Sequence, residues 1–208
     1  DSPEAHYIRA MWNATSNFND FAALEDFQTA HDLAPNLPHV MVEMAWSYWR
    51  TQEPDKGLEL LEQVLEANPN NLDALYALGY FQYQTYGDAN KAEDYLNRCV
   101  QADPDNIDCL NYLAQVNLSI DIQESARLYQ RIIEVGTSNP IYYLRAGRTF
   151  AGLGDCNSAN PLLRTGYQLE LSVAQPNAER LAAFEEFMSQ CGMPFSRVYS
   201  DSAQATAE

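Results

Sequence analysis

Two stripes of large side chains are the first feature with chemistry in it. Val42, Trp46 and Trp49 recur at i, i+4 and i+7, and Tyr76, Tyr80 and Tyr83 repeat the spacing. On a helix that spacing puts each trio on one face. Rings that end in an N–H or O–H bury a large apolar area while the polar tip stays satisfied, which suits recognition of another chain. The same spacing also serves a core in which the rings lie against neighbouring helices. Trp12, His39, Arg50 and Gln84 fall on the same faces. The candidate partner-binding set is therefore Trp12, His39, Val42, Trp46, Trp49, Arg50, Tyr76, Tyr80, Tyr83 and Gln84, with all three tryptophans in it.

Other chemistry finds little to work with. There is no G-x-S-x-G, no H-E-x-x-H and no phosphate-cradling glycine loop, so no catalytic residues and no enzyme activity are predicted. His6, His31 and His39 are scattered. Asp103, Asp105 and Asp108 lack the calcium-loop pattern and read as helix caps, so neither a metal site nor a cofactor is expected. Cys99, Cys109, Cys156 and Cys191 form no C-x-x-C pair and no His stands at zinc-finger spacing. Two disulfides in an oxidising compartment satisfy that even count, and so do four small buried thiols. Asn13-Ala-Thr15 and Asn117-Leu-Ser119 are glycosylation triplets of a kind that chance also produces.

The 208 residues carry 12 basic and 29 acidic side chains, a formal net charge of −17. Such a surface repels nucleic-acid phosphates and anionic lipid, so neither nucleic acid nor a charged bilayer is an expected partner. No run approaches the ~20 apolar residues of a membrane span, so no direct insertion is predicted. The sequence opens at Asp1 without Met, basic segment or apolar stretch, which reads as a mature chain whose signal peptide has been removed, or a trimmed one.

These residues need helices to hold them, and the chain supplies them periodically. Pro35, Pro69, Pro104, Pro140 and Pro176 follow one another at intervals of 34, 35, 36 and 36 residues, each inside a turn of similar composition. A period in that range, with a helix on either side of a short turn, marks a solenoid. The expected units cover about 4–37, 38–71, 72–106, 107–140 and 141–175, followed by a capping helix at 177–190 that closes a solenoid spanning 1–191. Inward positions include Ala23, Phe27 and Ala30 in the first unit, and Gly57, Leu61 and Val64 in the second. The fourth is expected to turn Ala126, Tyr129 and Ile133 inward. Asp20 is the expected cap of the second helix.

Leu75, Leu78-Gly79, Ala92, Leu96, Cys99 and Pro104 together resemble the tetratricopeptide repeat family, and Ala146-Gly147, Phe150, Gly154-Asp155, Ala159 and Leu163 repeat the pattern. The resemblance covers about 4–173. The first unit lacks the Leu-Gly pair and the fourth is out of register between its helices. The resemblance implies an all-α, right-handed superhelical solenoid of about five helix-turn-helix units plus the capping helix, whose first helices line a concave groove. Proteins of this kind mostly bind other proteins. In such a stack Cys99 and Cys109 end and begin adjacent segments, and Cys156 lies beside the end of the capping helix at Cys191, so both pairings are geometrically reasonable.

Beyond the cap, residues 192–208 read as an extended polar tail with Phe195, Val198 and Tyr199 as apolar anchors. The functional expectation is an extracytoplasmic, non-catalytic scaffold for protein or peptide partners. Other copies of the chain are included among those partners, joined head to tail through this segment into an oligomer or filament. The rival expectation is a monomeric adaptor that holds a foreign peptide in the aromatic groove.

Overall fold

A computed structural model describes residues 2–193, and the tail with its anchors Phe195, Val198 and Tyr199 lies outside the described residues. The described residues form eleven helices in consecutive pairs. They are α1 (Pro3–Thr15) with α2 (Asp20–Leu33), α3 (Pro38–Arg50) with α4 (Pro54–Ala67), and α5 (Leu72–Tyr86) with α6 (Ala89–Ala102). Then follow α7 (Ile107–Asn117) and α8 (Ile122–Val135), α9 (Pro140–Gly152) with α10 (Cys156–Ser172), and α11 (Ala178–Gln190). The chain divides into two compact units, residues 1–109 and 110–208.

Short polar side chains start these helices. Asn71 accepts a hydrogen bond from the Ala74 amide, Asp88 from Lys91, Asp155 from Ser158 and Asn177 from Arg180. Each satisfies an amide that has no partner within the helix, worth about 1 kcal/mol. Proline opens α1, α3, α4 and α9, where its missing N–H costs nothing. The expected cap Asp20 is corrected: Asn19 caps α2 through the Ala22 amide at 3.1 Å, and Asp20 is the first helical residue. Asp20 instead accepts from Arg50 Nε at 2.7 Å, joining α2 to α3.

In the first unit α3 packs against both α1 and α5, and each of the three also packs on the helix that follows it. Ala23, Phe27 and Ala30 are fully buried with Ala10, Val40 and Met44. Leu61, Val64, Ala77, Leu78 and Phe81 form a second cluster with Met41 and Ala45. Gly79 shows why the Leu-Gly pair matters: a Cβ there would stand 2.6 Å from Leu96 Cγ, so α5 and α6 approach this closely only over glycine. The first pair, which lacks Leu-Gly, is joined differently. Asp26 of α2 accepts from Arg9 Nε at 2.7 Å and lies 3.3 Å from His6 Nδ1. The Arg9 guanidinium holds the Asp26 carboxyl below the ordinary aspartate range, against the opposing effect of its burial. Cys99 and Cys109 are paired at disulfide distance, with Cα atoms 6.1 Å apart, beside buried Leu75.

In the second unit Ala159, Leu163, Tyr167, Phe184 and Met188 form the core between α9, α10 and α11. Gly147 repeats the role of Gly79, its would-be Cβ lying 2.5 Å from Leu163 Cδ2. Cys156 and Cys191 are paired at disulfide distance across 35 residues and tie the end of α11 to the start of α10. Buried Glu170 accepts from the Asn177 amide at 2.6 Å and lies 2.8 Å from Arg180 Nε, which anchors the start of α11. In α8 the expected inward residue Ile133 is corrected to Ile132, which is fully buried beside Tyr129, while Ile133 is partly exposed. Ala126 and Tyr129 are buried as expected, so the inward stripe of α8 continues from Tyr129 by three residues to Ile132 instead of by four to Ile133. Asn117 is buried and donates to the Leu113 carbonyl, so its side chain is not presented as a sugar acceptor.

Candidate functional site

The aromatic stripes meet in the first unit. Trp46 of α3 is the hub: its ring lies 5.0 Å from Tyr80 and Phe81 and 6.2 Å from Tyr76 and Trp49, mostly edge to face. Trp49 is 5.2 Å from Tyr80 and stacks on Phe81, and its indole N–H donates to Thr85 Oγ1 at 2.9 Å. Edge-to-face pairs of this kind each add about 0.5–1.5 kcal/mol beyond burial. Trp46, Trp49 and Tyr80 press one side onto the core of α3–α5 and keep the other partly exposed. The two readings of the stripe, binding surface and core, thus both apply to the same rings.

The remaining candidates separate. Val42 is 5 % exposed and packs in the core cluster with Ala45 and Leu61, while it also lines the cleft beside Trp46. Arg50 is committed to Asp20 and to Ser47 Oγ at 3.1 Å. Tyr83 is partly buried and Gln84 exposed on the last turns of α5. Trp12 stands outside the cluster, 60 % exposed on α1. His39 is exposed and meets the Tyr7 ring edge-on at 4.9 Å.

Next to Trp46 the surface sinks into a cleft of about 240 Å³. Its sides are Tyr7 from α1, His39 and Trp46 from α3, and Tyr76 from α5, with Val42 at its base. Two carboxyl groups enter it, Glu43 and Asp73. Burial pushes the Glu43 carboxyl above the ordinary glutamate range, and Asp73 adds to this while Arg50 and His39 oppose it. The Tyr7 hydroxyl is raised by burial first and then by Glu43 and Asp73, so the cleft carries negative potential. Glu43 and Tyr7 were missing from the sequence-derived set. The signal was present for Glu43, which stands four residues after His39 and three before Trp46, on the same helical face. Tyr7, five residues before Trp12, lies off the face of α1 that the candidate set marks with Trp12.

Consecutive helix pairs, closed by Leu-Gly contacts and capped by Asn or Asp, define an α-helical repeat protein. Residues 42–107 match the sequence model of the tetratricopeptide repeat, so this stretch of the chain carries tetratricopeptide repeats. No curated protein matches the sequence. Among solved structures the chain is similar to PilW, described as a widely conserved type IV pilus biogenesis factor. That likeness has 16 % identity and a TM-score of 0.75, over 99 % of this chain and 93 % of that one. It is also similar to a MamA protein, at 16 % identity and a TM-score of 0.66, over 83 % of this chain and 97 % of the other. MamA from Desulfovibrio magneticus RS-1 gives 15 % identity and a TM-score of 0.69, over 84 % and 98 %. At these identities the likeness is one of fold. No helix among the described residues is long and apolar enough to cross a membrane.

Proposed function

We propose that this chain is a non-catalytic protein-interaction scaffold whose aromatic face on α1, α3 and α5 receives an extended segment of a partner protein. The observation that carries this reading is the partly exposed ring cluster around Trp46, continuous with a polar-rimmed cleft. Aromatic rings around a rigid, packed base supply area without much ordering entropy, the combination that makes hot spots. The two cysteine pairs at disulfide distance support an oxidising, extracytoplasmic compartment. The test is selection of binders from a phage-displayed library of random peptides, followed by mapping of amide shifts on the chain. Perturbations on α1, α3 and α5 are expected; perturbations confined to the second unit, or no selected peptide, overturn the reading.

A second reading has its own observation. The first helix pair leaves Ile8, Trp12, Phe18 and Phe21 between 60 and 85 % exposed, more apolar surface than a terminal repeat ordinarily shows to water. A tail bearing Phe195, Val198 and Tyr199 from another copy would cover such a face and give head-to-tail assembly. Light scattering on the non-reduced chain checks this: assemblies that fall to monomers on removal of 192–208 support it, and a monomer of 23.5 kDa with the tail intact refutes it.

A further inference from the structure

We infer that the cleft between Tyr7, Trp46 and Tyr76 is a subsite for a lysine or arginine side chain of the bound partner segment, held by Glu43 and Asp73. The inference rests on the proposed peptide-binding reading and specifies which residue the peptide must carry. Size comes first. A volume of about 240 Å³ falls below the ~300–1,000 Å³ usual for whole small-molecule ligands, yet admits one long side chain with a few waters at ~30 Å³ each.

Charge then selects the guest. Three aromatic rings with two carboxyl groups among them offer negative ring faces and negative ends together, and both attract a cation. A neutral apolar side chain would seal two carboxylates away from water without a partner, and an acidic one would add a third like charge. Two basic groups lie nearby, His39 on the cleft wall and Arg50, and neither cancels this field. Arg50 lies two turns along α3 and is held by Asp20 and Ser47. Burial raises the Glu43 carboxyl above its ordinary range although Arg50 and His39 both act against it, so the basic groups in reach do not satisfy this carboxyl. Beyond the cleft the rings continue from Trp46 to Tyr80 and Trp49, so the residues flanking the basic one have an apolar surface to lie on.

The experiment compares three proteins on one phage-displayed library of random peptides. They are the unaltered chain, the isosteric double variant Glu43→Gln with Asp73→Asn, and a control, Glu59→Gln with Glu66→Gln, which removes the same charge from exposed positions on α4. Helical content and thermal midpoint confirm that all three fold. The unaltered chain is expected to enrich Lys or Arg at one position. The best peptide should then bind the cleft variant on the order of tenfold more weakly, and the control within about twofold. Peptides selected without a basic position, or bound equally by the cleft variant, overturn the inference and leave the groove reading standing. A library that yields no peptide overturns the groove reading, and this inference falls with it.

Discussion

In the first unit Gly79 of α5 lets Leu96 of α6 come within van der Waals reach of the helix backbone, and in the second Gly147 of α9 does the same for Leu163 of α10. The packing device is common to both, but the surfaces laid over it differ. The first unit gathers Trp46, Trp49, Tyr76 and Tyr80 on adjacent helices and opens an acidic cleft beside them. The second presents Asn111, Gln115, Leu144 and Arg148, and uses one of these internally, where Arg145 donates to the Asn111 side chain. Helix pairing depends on small residues where backbones approach, and recognition on the residues left over. The two can therefore vary independently within one repeat.

The cystine pairs provide the strongest way to break that parallel. Cys156–Cys191 closes 35 residues and Cys99–Cys109 only 10. In the chain-entropy account their loss costs about 4 and about 3 kcal/mol respectively. Replacing Cys156 and Cys191 by Ala should release α11, seen as rapid amide exchange over 178–190 with the first unit unchanged. Equal exchange in both units would mean that they unfold as one.

Overpacking the two glycines asks whether the shared device is equally taut. Gly79→Val and Gly147→Val should each cost about 1–3 kcal/mol in denaturant unfolding, since the new methyls meet Leu96 and Leu163 inside a filled core. A much smaller cost at one site would show that its leucine can rotate away.

The smallest effect concerns the cleft beside Trp46 in the first unit. The Glu43 carboxyl is raised above its ordinary range chiefly by burial. The folded state therefore holds the proton more readily than the unfolded one, and stability falls as pH rises from the ordinary glutamate range through the raised value. Glu43→Gln should thus raise Tm slightly at pH 7, with the gain shrinking as pH drops towards about 4. A lowered Tm at pH 7 would mean that Glu43 is a structural residue and not a cost tolerated for binding.

Periodicity and turn chemistry are local properties, so the all-α repeat, the inward faces of α2, α4 and α6 and the Leu-Gly contacts were legible in the residues themselves. Asn19 in place of Asp20 and Ile132 in place of Ile133 are differences of one residue at a helix start and at the end of a buried stripe, where the packing of neighbouring elements decides between adjacent positions. The sequence by itself determined that helices would pair, where they would turn and that aromatic rings would be spare. Only the tertiary structure decided that Val42 belongs to the core and that Tyr7 closes a cleft with Asp73, which lies 66 residues away. Burial and electric field arise from the sum of side chains on several helices, and no one helix carries that sum.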